Sequence, residues 1–396
     1  MPRHRLFPFI LLFFAQCIPA APQAPESEAT PRPAAAQPST QPAAQPSTQP
    51  STQPAAPAAP APAAPGLATV AAASQQMNGI AVAPDGRVFV SMPRWIQSDS
   101  FSVGVVSNGT VIPYPGGNWN LWKPGFPPAA HFISVNAVRI EPTDPRSLWV
   151  LDSAPSVKGG PKLVQLDLRT NTVARVFPLD ADLAPPDSYL SDVRLARSHA
   201  FITDSGSGAI ISLDLATGRA RRLLANSTKT KAIPGLSPIV DGRKVLRPDG
   251  SIPIVHAAAL ELSPDRSTLF YCTPLGGFLW QVSLDDLLND KLNGPELDSR
   301  VKSIGPLIPV GGILMLPGGE LLLSDVERHA IVRRTLDGKT TIVRQSKLLD
   351  WPAAMALGFD GKVYIAVAQV NRMPANNKGR NDVTPPFRIL SFPMPK

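Results

Sequence analysis

Residues 78–90 read NGIAVAPDGRVFV. Ile80 and Val82 alternate with a small residue, Pro84-Asp85-Gly86 makes a tight turn, and Val88, Phe89 and Val90 resume the strand. This is the signal of a β-hairpin. The same sentence recurs as NAVRIEPTDPRSLWVLD (136–152), AALELSPDRSTLFYC (258–272), GGILMLPGGELLLSD (311–325) and AAMALGFDGKVYIAV (353–367), with a further copy opening at Ser191. The openers Asn78, Asn136, Ser191, Ala258, Gly311 and Ala353 are spaced by 58, 55, 67, 53 and 42 residues.

Two more strands follow each hairpin, as in PKLVQLDLRTNTVARVFPL (161–179) and GAIISLDLATGRARRLL (208–224). One four-stranded sheet cannot bury both of its faces. Six arranged radially can, each against the next. The expected fold is therefore all-β: a six-bladed β-propeller of four-stranded antiparallel blades over residues 66–396. Closure is assigned to LATVAAA (67–73), placed beside VYIAVAQ and FRILSF of the last blade. Helical periodicity is scarce, and SLDDLLNDKLN (283–293) is the one fair candidate.

Upstream of the repeats the composition changes. Arg3, His4 and Arg5 precede an apolar run from Leu6 to Ala15, with small residues at Ala20 and Ala21. Residues 1–21 read as a signal peptide, the apolar run being well short of the ~20 residues that span a bilayer. Cys17 gives a second option, a lipoprotein signal, so the protein is expected to be secreted or periplasmic, with a membrane tether only if Cys17 is lipidated. Residues 22–65 form a Pro/Ala/Gln/Ser/Thr-rich linker without apolar periodicity, a disordered spacer of polyproline type. Once the leader is removed only Cys272 is certain to remain among the cysteines, Cys17 being kept only in lipidated form, so a packed core and not a disulfide must hold the fold. The net charge of +8 is modest for 396 residues. The basic residues are scattered without interleaved aromatics, which argues against nucleic acid as a partner. A monomer is expected.

Hairpin geometry locates the site. The first strand of each blade is innermost, and its turn lies at one face of the disc. The start of strand one and the end of strand two therefore emerge together at the opposite face. Strand starts supply Asn78, Asn136 and Asp192; strand ends supply Arg94, Asp152, Asp204 and Asp325, with Gln369 and Asn371 in the last blade. Convergent polar groups in a concave, otherwise apolar mouth are the signature of a small-molecule site, although strand-end aspartates also fix turns. His256 immediately precedes the inner strand of the fourth blade, where it could serve as a general base. Trp95, Trp119 and Trp122, with Tyr114 and Phe126, cluster between residues 91 and 131, either as a lid over the mouth or as outer-blade packing. No nucleophile elbow, Walker A, Cys-x-x-Cys or His-Glu-x-x-His spacing occurs.

SMPRW (91–95), SVNAVRIEP (134–142), LWVLDSA (148–154), SYLSDVRL (188–195), FITDSGSGAI (201–210), SDVERHAIVRR (324–334) and the terminal NRMP (371–374) occur in an order that resembles bacterial members of the major royal jelly protein/yellow family, commonly called dopachrome-tautomerase-related. The resemblance spans 66–396. It implies a six-bladed propeller and export, and it makes the gluconolactonase and senescence-marker-protein lactonases distant fold relatives. It also implies links to pigmentation, nutrition and amine-ligand binding, with catalysis poorly established.

The lactonase relatives hold a central divalent ion with Glu, Asn and Asp at strand starts, oxygen ligands of the kind Ca²⁺ takes. This chain has Ala258-Ala259, Gly311-Gly312 and Ala353-Ala354 at three of those starts. No metal residue is therefore assigned, and a weakly bound Ca²⁺ or other divalent ion is the most the pattern allows. The small residues are expected to make room for an apolar or aromatic ligand whose polar end Asn78, Asn136 and Asp192 orient. The leading reading is an exported binder of a small organic molecule. The alternatives are an enzyme, a metal-assisted lactone hydrolase with Asp204 activating water or a tautomerase, and a protein-interaction scaffold.

Overall fold

The computed structural model describes residues 66–97 and 100–394. The leader, Cys17 and the linker 22–65 lie outside the described residues. Six antiparallel sheets follow one another. The first has strands Ile80–Val82, Val88–Ser91, Val103–Ser107 and Thr110–Pro113. The second has Val135–Glu141, Asp144–Asp152, Lys162–Asp167 and Thr172–Pro178, and the third has Leu190–Ala196, His199–Asp204, Ala209–Asp214 and Ala220–Leu223. The fourth is Ala259–Leu262, Thr268–Cys272, Gly277–Ser283 and Lys302–Leu307; the fifth is Val310–Met315, Leu321–Asp325, Ala330–Arg334 and Thr340–Gln345. The sixth takes Pro352–Leu357, Lys362–Val367 and Phe387–Pro393 from the end of the chain and Ala68–Ala73 from its beginning. The first strands neighbour one another around a closed ring.

The opening hairpin forms as read: Ile80 faces Val90, Val82 faces Val88, and Gly86 turns the chain at φ +86°. Its alternation has a purpose that the ring supplies. Ala81 and Phe89 pack on Val138, Leu148 and Val150 of blade 2, whereas Ile80, Val82, Val88 and Val90 pack on Ala356, Ala366 and Ile389 of blade 6. Odd and even side chains thus serve opposite neighbours, so every residue of these two strands is buried. The pattern repeats between blades 2 and 3, 3 and 4, 4 and 5, and 5 and 6. Six seams for six blades is the mark of closure.

The closing strand behaves as expected. Ala68 pairs with Ser391 and Ala73 with Phe387, antiparallel, as the outermost strand of blade 6. Its Ala72 also meets Thr110 of blade 1. Gln76 adds a second staple by donating from its side-chain amide to Ala368 O at 2.8 Å. The segment expected to be helical holds a short helix, Leu284–Leu288, capped by the Ser283 hydroxyl, which accepts from the Asp285 amide. A second helix, Gly294–Arg300, was not legible in the sequence. Among the described residues no helix is long and apolar enough to cross a membrane.

Two insertions rise above the disc face where the first strands begin. One, between blades 3 and 4, carries the hairpin Ile239–Val240/Arg243–Lys244. The other follows the second strand of blade 6. They are joined where Leu246 meets Asn377, with Leu246 N–H donating to Asn376 O and Lys378 N–H to Leu246 O.

Candidate functional site

A cavity of about 400 Å³ occupies the axial end of the ring beneath these insertions. All six first strands reach it: Asn78, Asn136, Asp192, Ala259, Gly311 and Ala354 are on its wall. Val245, Ile254 and Val370 of the insertions, with Trp95 and Trp351, make the remainder largely apolar.

The polar side is a connected relay. Trp95 Nε1 donates to Tyr189 Oη at 2.7 Å, and Tyr189 Oη donates to Asn136 Oδ1 at 3.0 Å. Asn78 Nδ2 donates to the same Asn136 Oδ1 at 3.2 Å, and Asn136 Nδ2 donates onward to Ser191 O at 2.7 Å. Each asparagine is thereby oriented by its neighbours. Two acceptors stay uncommitted among the described residues, Asn78 Oδ1 and Asp192 Oδ2. Asp192 Oδ1 accepts from Arg194 Nη1 at 2.7 Å and from the Val193 amide at 2.8 Å. Burial raises the Asp192 carboxyl above its ordinary range, and Arg194 and Arg139 offset this only in part.

Below the cavity lies a layer that the sequence reading missed. Arg194 bonds Glu261 at 2.6 Å, Arg139 reaches Glu141 at 3.3 Å and Glu261 at 3.6 Å, and Arg266 bonds Glu141 at 2.9 Å. Burial disfavours the charge on Glu261, but Arg194 and Arg139 overcome it and leave the carboxyl below its usual value. This ionic floor separates the cavity from a second one of about 370 Å³ at the opposite mouth, and Arg139 borders both. The signal was present: charged residues inside innermost strands, at Arg139, Arg194 and Glu261, are out of place unless they pair.

The remaining candidates do not join the cavity wall. Asp152 is fully buried, accepting from the amides of Ile133 and Ser134 and from Lys162 Nζ at 2.7 Å. Asp204 accepts from Ser188 Oγ, Ser207 Oγ, the Tyr189 and Gly206 amides and Arg222. Burial alone would raise its carboxyl; these donors overcome it and hold it below the usual range. Asp325 accepts from the Glu327 and Arg328 amides, and burial raises its carboxyl. All three fasten turns. Arg94 donates to Ser102 Oγ and Phe132 O at 3.0 Å and lies over the Trp122 ring. Asn371 donates to Asp350 Oδ1 and borders a smaller polar hollow beside Asp241 and Arg243. His256 Nδ1 accepts from the Ala232 amide, which places the proton on Nε2. Burial, with the Lys231 charge second, lowers its pKa, so the ring stays neutral at pH 7. Of the aromatic cluster only Trp95 reaches the cavity; Trp119 packs on Phe132, Tyr114 on Phe89 and Phe126 on His131.

One expectation needs a physical correction. The glycines at the fifth strand start are not there to make room for a ligand. A Cβ on Gly311 would stand 2.1 Å from Pro352 O, and one on Gly312 2.6 Å from Ala353 O, so the neighbouring strand dictates them. The donors on the cavity wall suit a lactonase-type ion poorly. Asp192 is the one carboxylate on the cavity wall among the described residues, and a guanidinium shares it. Among the described residues no three His, Cys, Asp or Glu side chains stand together as a metal site would need.

Asp204 makes the stability pH-dependent with a definite sign. Its folded pKa is depressed, so its contribution is present above the unfolded value near ~3.9 and fades as pH falls through the folded one. Asp204→Asn is expected to lose about 2–4 kcal/mol at pH 7, because it leaves Arg222 without its anion. In urea titrations the gap to the native protein should close between roughly pH 4 and pH 2. A gap that stays constant with pH would refute the assignment.

The sequence matches the family model of the major royal jelly protein over residues 133–391. No curated protein matches it. Among solved structures, a gluconolactonase from Xanthomonas campestris is 12% identical, with 83% of this chain and 89% of that chain covered at a TM-score of 0.50. A luciferin-regenerating enzyme is 8% identical, covering 83% of this chain and 95% of its own, also at 0.50. A calcium-binding regucalcin from Agrobacterium tumefaciens is 13% identical, covering 81% and 90%, at 0.47. At these identities the likeness speaks to the fold alone.

Proposed function

The chain belongs to the major royal jelly protein family, and from that premise we propose that it is an exported protein binding a small organic molecule in the axial cavity. The observation that supports this is the pair of uncommitted acceptors, Asn78 Oδ1 and Asp192 Oδ2, on the wall of a largely apolar chamber. A ligand that fits offers a hydrogen-bond donor, an amine above all, to that pair and an apolar or aromatic body to Trp95, Trp351 and Ile254. The volume suits such a molecule. Binding without turnover is the expected behaviour, since Asp192, the one carboxylate on the cavity wall among the described residues, is shared with Arg194.

A thermal-shift screen of biogenic amines, catechols and lactones tests this. An amine is expected to raise the melting temperature, with or without chelator. Asp192→Asn should weaken that amine about tenfold, the loss of one charge-assisted hydrogen bond, and catechols lacking an amine should be little affected. Turnover of a lactone that is lost in chelator would overturn the reading in favour of the hydrolase. The export part has its own check: the mature protein should begin near residue 21 or carry lipid on Cys17.

A further inference from the structure

The mouth opposite the axial cavity holds a chamber of about 370 Å³, at the end of the ring where the first hairpins turn. Its wall is mainly apolar and comes from five blades. Val82, Leu262 and Leu357 end the first strands of blades 1, 4 and 6, while Ile140 and Leu316 belong to blades 2 and 5. Phe359, in the turn of the sixth hairpin, borders the chamber and is 56% exposed.

The floor of this chamber is the ionic layer, and there donors outnumber acceptors. Glu141 Oε1 accepts from Arg139 Nε and the Leu195 amide, both at 3.3 Å, and Oε2 accepts from Arg266 Nη2 at 2.9 Å. Glu261 Oε1 accepts from Arg194 Nη2 at 2.6 Å, and Oε2 accepts from the Leu262 amide at 3.3 Å. Each carboxylate oxygen thus already holds a donor. Arg139 Nη2, Arg266 Nε and Arg266 Nη1 donate to nothing among the described residues. Unlike Arg194 Nε, which is shut away without a partner, these nitrogens keep accessible surface. Arg266 borders this chamber and not the axial one; Arg139 borders both.

The charges, by contrast, cancel: Arg139, Arg194 and Arg266 stand against Glu141, Glu261 and Asp192. An added anion would meet Glu141 and Glu261 as well as the arginines, with no net charge to hold it. A neutral acceptor takes hydrogen bonds from the guanidinium edges without that repulsion. The axial cavity has the reverse polarity, since its uncommitted atoms are the acceptors Asn78 Oδ1 and Asp192 Oδ2.

We propose that this opposite mouth is a second binding site, independent of the axial cavity, for a small neutral apolar molecule that carries a carbonyl acceptor: an ester, ketone or amide. The carbonyl oxygen meets the free N–H groups of Arg266 and Arg139, and the apolar body lies against Leu357 and Phe359. The competing account is ordered water alone on the arginine edges.

The test titrates the full-length protein calorimetrically with methyl benzoate, with ethylbenzene, which has a similar body and no acceptor, and with benzoate. Methyl benzoate is expected to bind saturably, about tenfold tighter than ethylbenzene, the value of one hydrogen bond to a charged group. It should also bind more tightly than benzoate. Arg266→Met should weaken methyl benzoate about tenfold and leave ethylbenzene unchanged, a split that mere loosening of the floor would not produce. Phe359→Ala, at an exposed position, should weaken both by about fivefold. Trp95→Ala, in the axial cavity, should change neither. No saturable binding, equal affinity for methyl benzoate and ethylbenzene, a preference for benzoate, or a response that follows Trp95→Ala instead of Phe359→Ala would overturn the site.

Discussion

Lys162→Met is expected to destabilise the propeller by about 3–5 kcal/mol, one of the two largest effects of any single substitution considered. Lys162 and Asp152 are 1% and 0% exposed in their side chains and bonded at 2.7 Å. Methionine fills nearly the same space, so packing is conserved and the loss is electrostatic. The Asp152 carboxylate keeps two backbone amides, from Ile133 and Ser134, but loses its counter-charge in a site closed to water. The double variant Asp152→Asn/Lys162→Met should recover much of the loss, because no lone charge then remains. Denaturant unfolding of the four proteins closes the cycle. A single-variant cost under ~1 kcal/mol would show that the pair is not the fastener described.

Gly311→Ala should be comparably severe, at about 3 kcal/mol or more, for a different reason. The added methyl would sit 2.1 Å from Pro352 O, and that oxygen belongs to the backbone of the adjoining first strand. No rotamer change relieves the clash; blades 5 and 6 must separate. Gly86 is the control. It has φ +86° with open space around it, so Gly86→Ala costs only the strain of the left-handed conformation, about 1 kcal/mol. If the two substitutions cost the same, close approach of the strands is not what glycine serves at Gly311.

These residues show where sequence reasoning worked. Blade count, closure by residues 67–73 and convergence of the first strands on one mouth follow from period-two patterning at a fixed spacing, a property of the backbone itself. The direction of a side chain at a strand end does not follow from it. Asp152, Asp204, Asp325 and Asp192 look alike as letters. The first three turn into loops because Lys162, Arg222 or a run of amides waits there, and only Asp192 faces the cavity. Lys162 lies ten residues from Asp152 and opposite it in register, a pairing visible only once the second and third strands are aligned. Tyr189 was passed over because it precedes its strand, although its hydroxyl joins Trp95 to Asn136. The ionic floor was legible in principle, since Arg139, Arg194 and Glu261 interrupt strands that should be apolar.

The sixth sheet, built from both ends of the polypeptide, sets a schedule for biogenesis. The stretch at 68–73 is synthesised early, yet Phe387–Pro393, its hydrogen-bonding partner, is nearly the last to appear. Joining segments roughly 300 residues apart carries a chain-entropy cost on the order of 5 kcal/mol, and nothing repays it until the final strand arrives. Ribosome-bound or truncated chains ending before residue 387 should therefore be protease-sensitive throughout, however many hairpins they contain, and release of the C-terminus should be the step that confers resistance.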